Sequence, residues 1–286
     1  MMERATTIWL ASYPKSGNTW LRAMYSAWSS QEQARLDRLQ GLPMAASRQA
    51  FDDALGIDSA DLTADEIDLL RPRADEVIAA QDRRDGEIRL RKVHDALFTG
   101  PAGEPVVSVS AARCAIYVIR DPRDVAVSLA HHTDRSMDYV VDYMASHVAA
   151  LGAAADWLEP QVRQRLGTWS EHVESWTEQD VIPPLVVRYE DCLRDPVAVW
   201  SAVLDFAGLG VEPDRVSQAV AACSFTRLQD QEKREGFNER TSPNSLFFRQ
   251  GRSGGWRTSL PAELAAKLES DHQAVMQRFG YLEGDG

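Results

Sequence analysis

The chain has little cysteine: Cys114, Cys192 and Cys223 are the only three in 286 residues, widely spaced and with no CxxC pair. An odd, scattered set excludes a disulfide framework and a cysteine metal cluster, and it suits a reducing compartment. Positive charge is also short. Lys and Arg number 31 against 43 Asp and Glu, a formal net charge of −12. A surface of that sign repels polyanions. A nonspecific nucleic-acid, heparin-type or anionic-membrane binder is therefore not expected unless a local patch reverses the field. Long apolar runs are missing too. Ile8 to Ala11, after Glu3 and Arg4, is far too short for a signal core or a membrane span. The weakly polar stretch from Tyr139 to Leu158 is broken by Asp142, His147 and Asp156, and reads as a buried or half-buried helix. These absences predict a soluble, cytoplasmic protein with no membrane and no nucleic-acid partner. Repeats, long linkers and low-complexity blocks are absent, so one domain over 1–286 is expected.

What is present alternates strands with helices. Ile8–Ala11 predicts a buried strand, then a polar turn, then a helix from Asn18 to about Ser30. Residues 31–85 read as helical and polar. Thr63 and Glu66 have capping-box spacing, and Pro72 marks a kink or a new helix. Further strands are expected over 88–93, 115–119 and 185–187, with a short one at 106–109. Helices are expected from about Pro122, over 138–158, 167–180, 196–208 and 212–222, and from Pro261 to about Phe279. Residues 235–259 read as a long irregular segment, and such a loop in a compact domain usually has a function. The pattern predicts an α/β fold: a mainly parallel central sheet flanked by helices, with ligands beyond the carboxyl ends of the strands.

Four segments carry chemistry. Tyr13-Pro14-Lys15-Ser16-Gly17-Asn18-Thr19-Trp20 joins a strand to a helix N-terminus, where free N–H groups and the helix dipole favour an anion. Gly17 permits close backbone approach, Lys15 adds a charge, and Ser16, Asn18 and Thr19 add polar side chains. GxxxxGK[ST] is absent, so this is a phosphate cradle other than the standard P-loop. Second, Arg120 ends a buried strand and Ser128 lies two helical turns on, so both can converge on one phosphate. A salt-bridged helix start through Asp121 and Asp124 is the bland alternative. Third, Phe247-Phe248-Arg249-Gln250-Gly251-Arg252-Ser253-Gly254-Gly255-Trp256-Arg257 packs arginine with glycine, the makings of an anion nest. A flexible surface loop is the alternative, although three aromatics suit it poorly. Fourth, Lys92-Val93-His94 ends a strand with Lys92 and His94 on one side. One can hold a transferring group while the other takes a proton, or the histidine is structural.

YPKSGNTW, RDPRDVAVS and RQGRSGGWR, in this order, resemble the signature segments of cytosolic-type sulfotransferases, which use 3′-phosphoadenosine 5′-phosphosulfate (PAPS). The bacterial-type small-molecule members look nearest. The likeness runs from Ile8 to Trp256. It implies a three-layer sandwich like that of P-loop NTPases, with about 226–255 as an irregular lid over the cofactor. It implies that Lys15, Ser16, Gly17, Asn18, Thr19 and Trp20 wrap the 5′-phosphosulfate, Trp20 stacking on adenine. Arg120, Ser128, Arg249 and the Gly251 backbone would bind the 3′-phosphate, in a segment that also holds Phe248 and Gln250. Tyr189 and Phe225 would flank the adenine. Lys92 and His94 match the family's Lys-Thr-His, which makes His94 the base, with Lys15 and Lys92 beside it in catalysis. Departures from the family pattern are Asn18 for threonine, Gln250 for lysine, Gly255 for aspartate, Arg257 for lysine and Cys223 for threonine. The expected reaction moves a sulfuryl group to a hydroxyl, less readily an amine, of a small molecule, leaving PAP and needing no metal. A homodimer is left open, and a P-loop-like kinase and a silent nucleotide-binding protein are the alternatives.

Overall fold

The computed structural model describes residues 5–30, 36, 39, 44–100, 103–153, 158–241 and 246–283. The expected helix over 31–43 falls, Leu36 and Leu39 apart, outside them. A four-stranded sheet has the order β2-β1-β3-β6. It is built from β1 (Thr7–Ser12), β2 (Arg89–Val93), β3 (Ala112–Ile119) and β6 (Pro184–Arg188). β1 and β2 run parallel, Leu10 opposite Lys92 and Ala11 opposite Val93. All six residues of β1 and the last five of β3 are buried. Continuous burial of this kind follows from a sheet covered on both faces, and it is why these strands read as unbroken apolar runs.

The chain separates into two compact units. The first comprises Met1–Tyr13, Leu42–Tyr117 and His147–Leu185, and the second comprises Pro14–Gly41, Val118–Ser146 and Val186–Gly286. β3 and β6 begin in the first and end in the second.

In the first unit, α2 (Arg48–Leu55) and α3 (Ala64–Arg84) pack Phe51, Ile67 and Ala74 with Ala46 and Val162. Thr63 and Glu66 form the expected capping box. Pro72, however, neither starts a helix nor ends one: α3 runs through it. The turn that loses the Asp68 carbonyl's usual partner is held from outside. Arg163 pairs with the Asp68 carboxylate, and Arg71 grips Asp95 with two nitrogens at 2.8 and 2.6 Å. The strand expected at 106–109 does not form. Val106 and Val107 are buried as irregular chain, and only an isolated bridge joins Thr99 to Pro105. The unit is completed by β4 (Ala150–Leu151), antiparallel to β5 (Gln164–Arg165), and by α6 (Trp169–Thr177).

The second unit holds α1 (Asn18–Ser30), α4 (Pro122–Thr133), α5 (Met137–Met144), α7 (Tyr189–Arg194), α8 (Pro196–Phe206), α9 (Pro213–Ala222), α10 (Phe225–Glu235), α11 (Trp256–Ser259), α12 (Ala262–Asp271) and α13 (Gln273–Arg278). Three expectations are corrected. The helix over 138–158 stops at Met144. Beyond it Gly152 turns at φ +63°, where a Cβ would stand 2.7 Å from the Val162 carbonyl oxygen, so helix cannot continue. The closing helix is two, broken at buried His272 with φ −123°. The irregular segment over 226–255 opens as helix: α10 occupies its first ten residues, and Gly236 at φ +77° ends it. Among the described residues no helix is long and apolar enough to cross a membrane.

Candidate active site

Of the predicted site residues, all but Lys92 and His94 lie in the second unit. The turn after β1 delivers the chain to the N-terminus of α1. Gly17 caps that helix, its carbonyl accepting Trp20 N at 3.0 Å and Leu21 N at 3.4 Å. Gly17 has φ +112°, and a Cβ there would sit 2.7 Å from the Tyr189 ring. Lys15 takes φ +69°, a left-handed conformation rare outside glycine. Such strain costs about 1–3 kcal/mol and gathers at functional turns. No acidic residue occupies the first turn of α1, which leaves the positive end of its dipole for an anion. Ser16 is buried and its Oγ has no hydrogen-bond partner.

Arg120 ties this turn to the arginine–glycine segment. One guanidinium nitrogen donates to the Lys15 carbonyl at 3.1 Å and another to the Arg252 carbonyl at 3.3 Å. The group lies 4.5 Å over the Tyr189 ring, and its Nε is buried without a partner. Burial, and after it the charges of Arg120 and Arg252, disfavour the charged form of Arg249, while Asp124 opposes them. Like charges crowded this way raise one another's energy until an anion arrives. Lys15, Ser128, His131, His132, Arg240 and Arg249 all line one open cavity of about 290 Å³. The field there is opposite to that of the acidic chain as a whole.

The residues expected to flank an adenine also assemble. Trp20 donates from Nε1 to the Cys223 carbonyl at 2.9 Å and meets Tyr189 edge-on at 6.0 Å. The backbone of Cys223 thus makes a bond that its side chain does not supply. Burial pushes its thiol up to about 12, so it stays neutral. Phe225 starts α10 with its ring against Gly251, where a Cβ would stand 2.2 Å from Cδ2. Phe248 is buried, and Gln250 accepts a hydrogen bond from Arg252 at 3.3 Å. Phe247 packs edge-on against Phe237 at 5.0 Å with the Lys15 ammonium 3.7 Å from its ring centre. These contacts explain the aromatics that a solvated loop would not keep.

Three carboxylates hold the segment in place: Glu232 and Glu239, which the sequence pattern does not single out, and Asp124, expected only as a helix-start charge. Glu232 accepts the N–H groups of Phe247 at 2.6 Å and Phe248 at 2.9 Å. Asp124 accepts those of Gly254 and Trp256. Glu239 pairs with buried Arg22 and accepts the Thr19 hydroxyl at 3.1 Å. The bland reading of RDPRD holds as well: Asp121 caps α4 and binds Arg123 through both carboxylate oxygens. A single motif thus serves the helix start through Asp121 and Arg123, and the site through Arg120 and Asp124.

In the first unit, His94 follows β2 and is buried. Its Nδ1 lies 2.8 Å from the Ser12 carbonyl. A carbonyl only accepts, so Nδ1 carries a hydrogen and Nε2 holds the lone pair of the neutral ring. Lys92 is half-buried on β2. Among the described residues no cluster of His, Cys, Asp and Glu could hold a metal ion.

The residues fit a nucleotide bearing phosphates. The cradle admits no Cβ at Gly17, the Ser16 hydroxyl and Arg120 Nε are buried without a partner, and Lys15, Arg240 and Arg249 line one cationic cavity. The family model "Sulfotransferase domain" matches residues 5–280. Cytosolic sulfotransferase 16 of Arabidopsis thaliana is 25% identical over 99% of this chain and 79% of its own. Flavonol 3-sulfotransferase of Flaveria bidentis is 24% identical over 92% of this chain and 79% of its own. Among solved structures, retinol dehydratase in complex with androsterone and the inactive cofactor PAP superposes with a TM-score of 0.63. It is 18% identical, covering 96% of this chain and 81% of its own. A mouse sulfotransferase complexed with PAP gives 0.60 at 19% identity, over 96% and 85%.

Proposed function

The chain belongs to the sulfotransferase domain family, and on that premise we propose that it moves the sulfuryl group of PAPS to a hydroxyl of a small molecule and releases PAP. The observation that supports this most is the Arg120 fork. It spans the Lys15 and Arg252 carbonyls, so cradle and arginine–glycine segment address one ligand. A 5′-phosphate alone would use the cradle. A second phosphate gives a role to Arg249 and Ser128, which share the Lys15 cavity.

PAPS supplies a sulfuryl group on a phosphate that leaves readily. The protein's share is positioning and charge stabilisation, as in phosphoryl transfer. Ser16, Gly17, Asn18 and Thr19 hold the 5′ end with backbone and side-chain donors. Lys15 stabilises charge at the departing phosphate oxygen. Trp20, Tyr189 and Phe225 wall the adenine, and Arg120, Ser128, Arg249 and the Gly251 backbone take the 3′-phosphate. Lys92 neutralises sulfonate oxygens, while Nε2 of His94 takes the acceptor proton. Cationic side chains and backbone N–H groups do the work that a metal does elsewhere, so turnover persists in EDTA. One relative is named for a flavonol and one structural neighbour was solved with androsterone. Both names favour a hydroxylated small acceptor over an amine.

Titration calorimetry tests the nucleotide. PAP binds, and ATP, which lacks the 3′-phosphate, binds far more weakly. Equal affinities would return the kinase alternative. The acceptor is then sought with PAPS by mass spectrometry over phenols, alcohols, glycosides and glycopeptides. With that acceptor, His94→Ala loses about 10²–10⁴ in turnover, the usual worth of general-base help, while PAP binding survives. Near-full activity would remove His94 from the base role.

A further inference from the structure

In the first unit a buried pair lies behind His94, joined to it by a chain of hydrogen bonds. His172 is fully buried on α6, and its Nε2 lies 2.9 Å from the His94 carbonyl. That nitrogen therefore donates, and Nδ1 of His172 must accept. Its partner is the Tyr117 hydroxyl at 2.9 Å, from a fully buried ring on β3. The Tyr13 ring meets His172 edge-on, centroids 5.4 Å apart. The Ser12 carbonyl, which leads into Tyr13, accepts Nδ1–H of His94.

Each hydrogen bond of this chain has one permitted direction: those of His94 and His172 end on the Ser12 and His94 carbonyls, and the second leaves Nδ1 of neutral His172 to accept from the Tyr117 hydroxyl. The groups facing His172 are Tyr13 from the end of β1, Tyr117 from β3, and His94 and Asp95 after β2. Asp95 is itself fixed by the two-nitrogen grip of Arg71, and its carbonyl by Trp176 Nε1 at 2.9 Å. Burial holds His172 neutral, down at about 4, so its roles as donor and acceptor do not reverse near neutral pH. A leucine would fill this core at less desolvation cost. The polar pair is accounted for by what it orients.

We propose that Tyr117 and His172 are positioning residues for His94, fixing its backbone and its Nδ1–H form so that Nε2 presents the lone pair. This rests on the reading of His94 as the base.

Nitrogen-15 NMR of histidine-labelled full-length protein reads the tautomer directly. Neutral His94 carries its hydrogen on Nδ1. In Tyr117→Phe, which keeps the ring and removes one hydroxyl, and in His172→Leu that preference weakens. With the acceptor from the screen, kcat falls roughly 10- to 100-fold, what a misplacement of up to about 1 Å costs, while PAP affinity is unchanged. His172→Gln, which keeps an N–H near the Nε2 position, recovers much of the loss. In a His94→Ala background Tyr117→Phe costs nothing further. Should His172→Leu fail to fold, Tyr117→Phe carries the test. If folded Tyr117→Phe keeps both the wild-type tautomer and kcat while His94→Ala is inactive, the positioning role is wrong and the base stands. If His94→Ala is active, the base reading itself falls.

Discussion

The Asp124 carboxylate accepts the backbone N–H of Gly254 at 2.6 Å, across 130 residues of sequence, and its other oxygen takes Trp256 N at 2.9 Å. A first-turn residue of α4 thereby closes the arginine–glycine segment onto the helix that carries Ser128. The packing is tight: a Cβ on Gly255 would lie 2.7 Å from Gln250 Oε1 and 3.7 Å from Asp124 Oδ1.

Asp124→Ala is therefore expected to weaken PAP by about tenfold or more. Each hydrogen bond to a charged acceptor carries ~1.5–3 kcal/mol, and about 1.4 kcal/mol is tenfold in affinity. Asp124→Asn keeps one acceptor and presents an NH₂ to the other amide, so it falls between. Calorimetry with PAP checks the order. Wild-type affinity in the alanine variant would mean that the segment holds its shape without this clamp.

The same clamp shows where the sequence is legible and where it is not. The cradle from Tyr13 to Trp20 and the strand-end Arg120 are local: strand, turn, glycine and helix start are adjacent, and adjacency is readable. Glu232, Glu239 and the clamp made by Asp124 are not readable. Their partners are backbone amides, a buried guanidinium and a hydroxyl, up to 220 residues away, and a carboxylate with such a partner looks like any solvated one. The strand cores of β1, β3 and β6 came through as apolar runs bounded by polar turns, whereas the run at 106–109 is buried without forming a strand. The helix ends near Met144 and His272 did not, because backbone turns and tertiary contacts set them rather than periodicity. Pro72 starts no new helix: α3 runs through it, with its neighbours Asp68 and Arg71 held by ion pairs from outside the helix.

Gly251 offers a cleaner substitution. It sits at φ +58°, and a Cβ would come within 2.2 Å of Phe225. Gly251→Ala must displace that ring and adopt a backbone that costs about 1–3 kcal/mol. Gly56→Ala supplies the control, since φ is +66° and nothing lies within 4 Å. Both variants lose thermal stability. Only Gly251→Ala is expected to lose PAP affinity, by about tenfold or more, as judged by the free energy of the displaced contact. Equal PAP affinities in the two variants would detach Phe225 from the nucleotide site.

Acid is expected to act on the fold through buried histidines. Burial depresses His172 and His272 from 6.5 to about 4. For His272 the Asp271 charge opposes that depression and Lys267 adds to it. A depressed folded-state value means that the unfolded chain binds protons first. Stability is then fully present above pH 6.5 and is lost as pH falls toward 4. A tenfold difference in proton affinity between the folded and unfolded chain is worth about 1.4 kcal/mol, so each histidine contributes a loss on the order of 3 kcal/mol. Asp75 works the other way. Burial raises it from 3.8 to about 7, so its share of stability is lost as pH rises through that window. The wild-type slope mixes both signs, and a difference between variants separates them. His272→Gln removes one titrating group outside the proposed site. Its urea stability should fall by about 3 kcal/mol less than wild type between pH 6.5 and 4. Parallel stability profiles for the two proteins over that range would mean that His272 titrates in the folded state as it does in the unfolded chain.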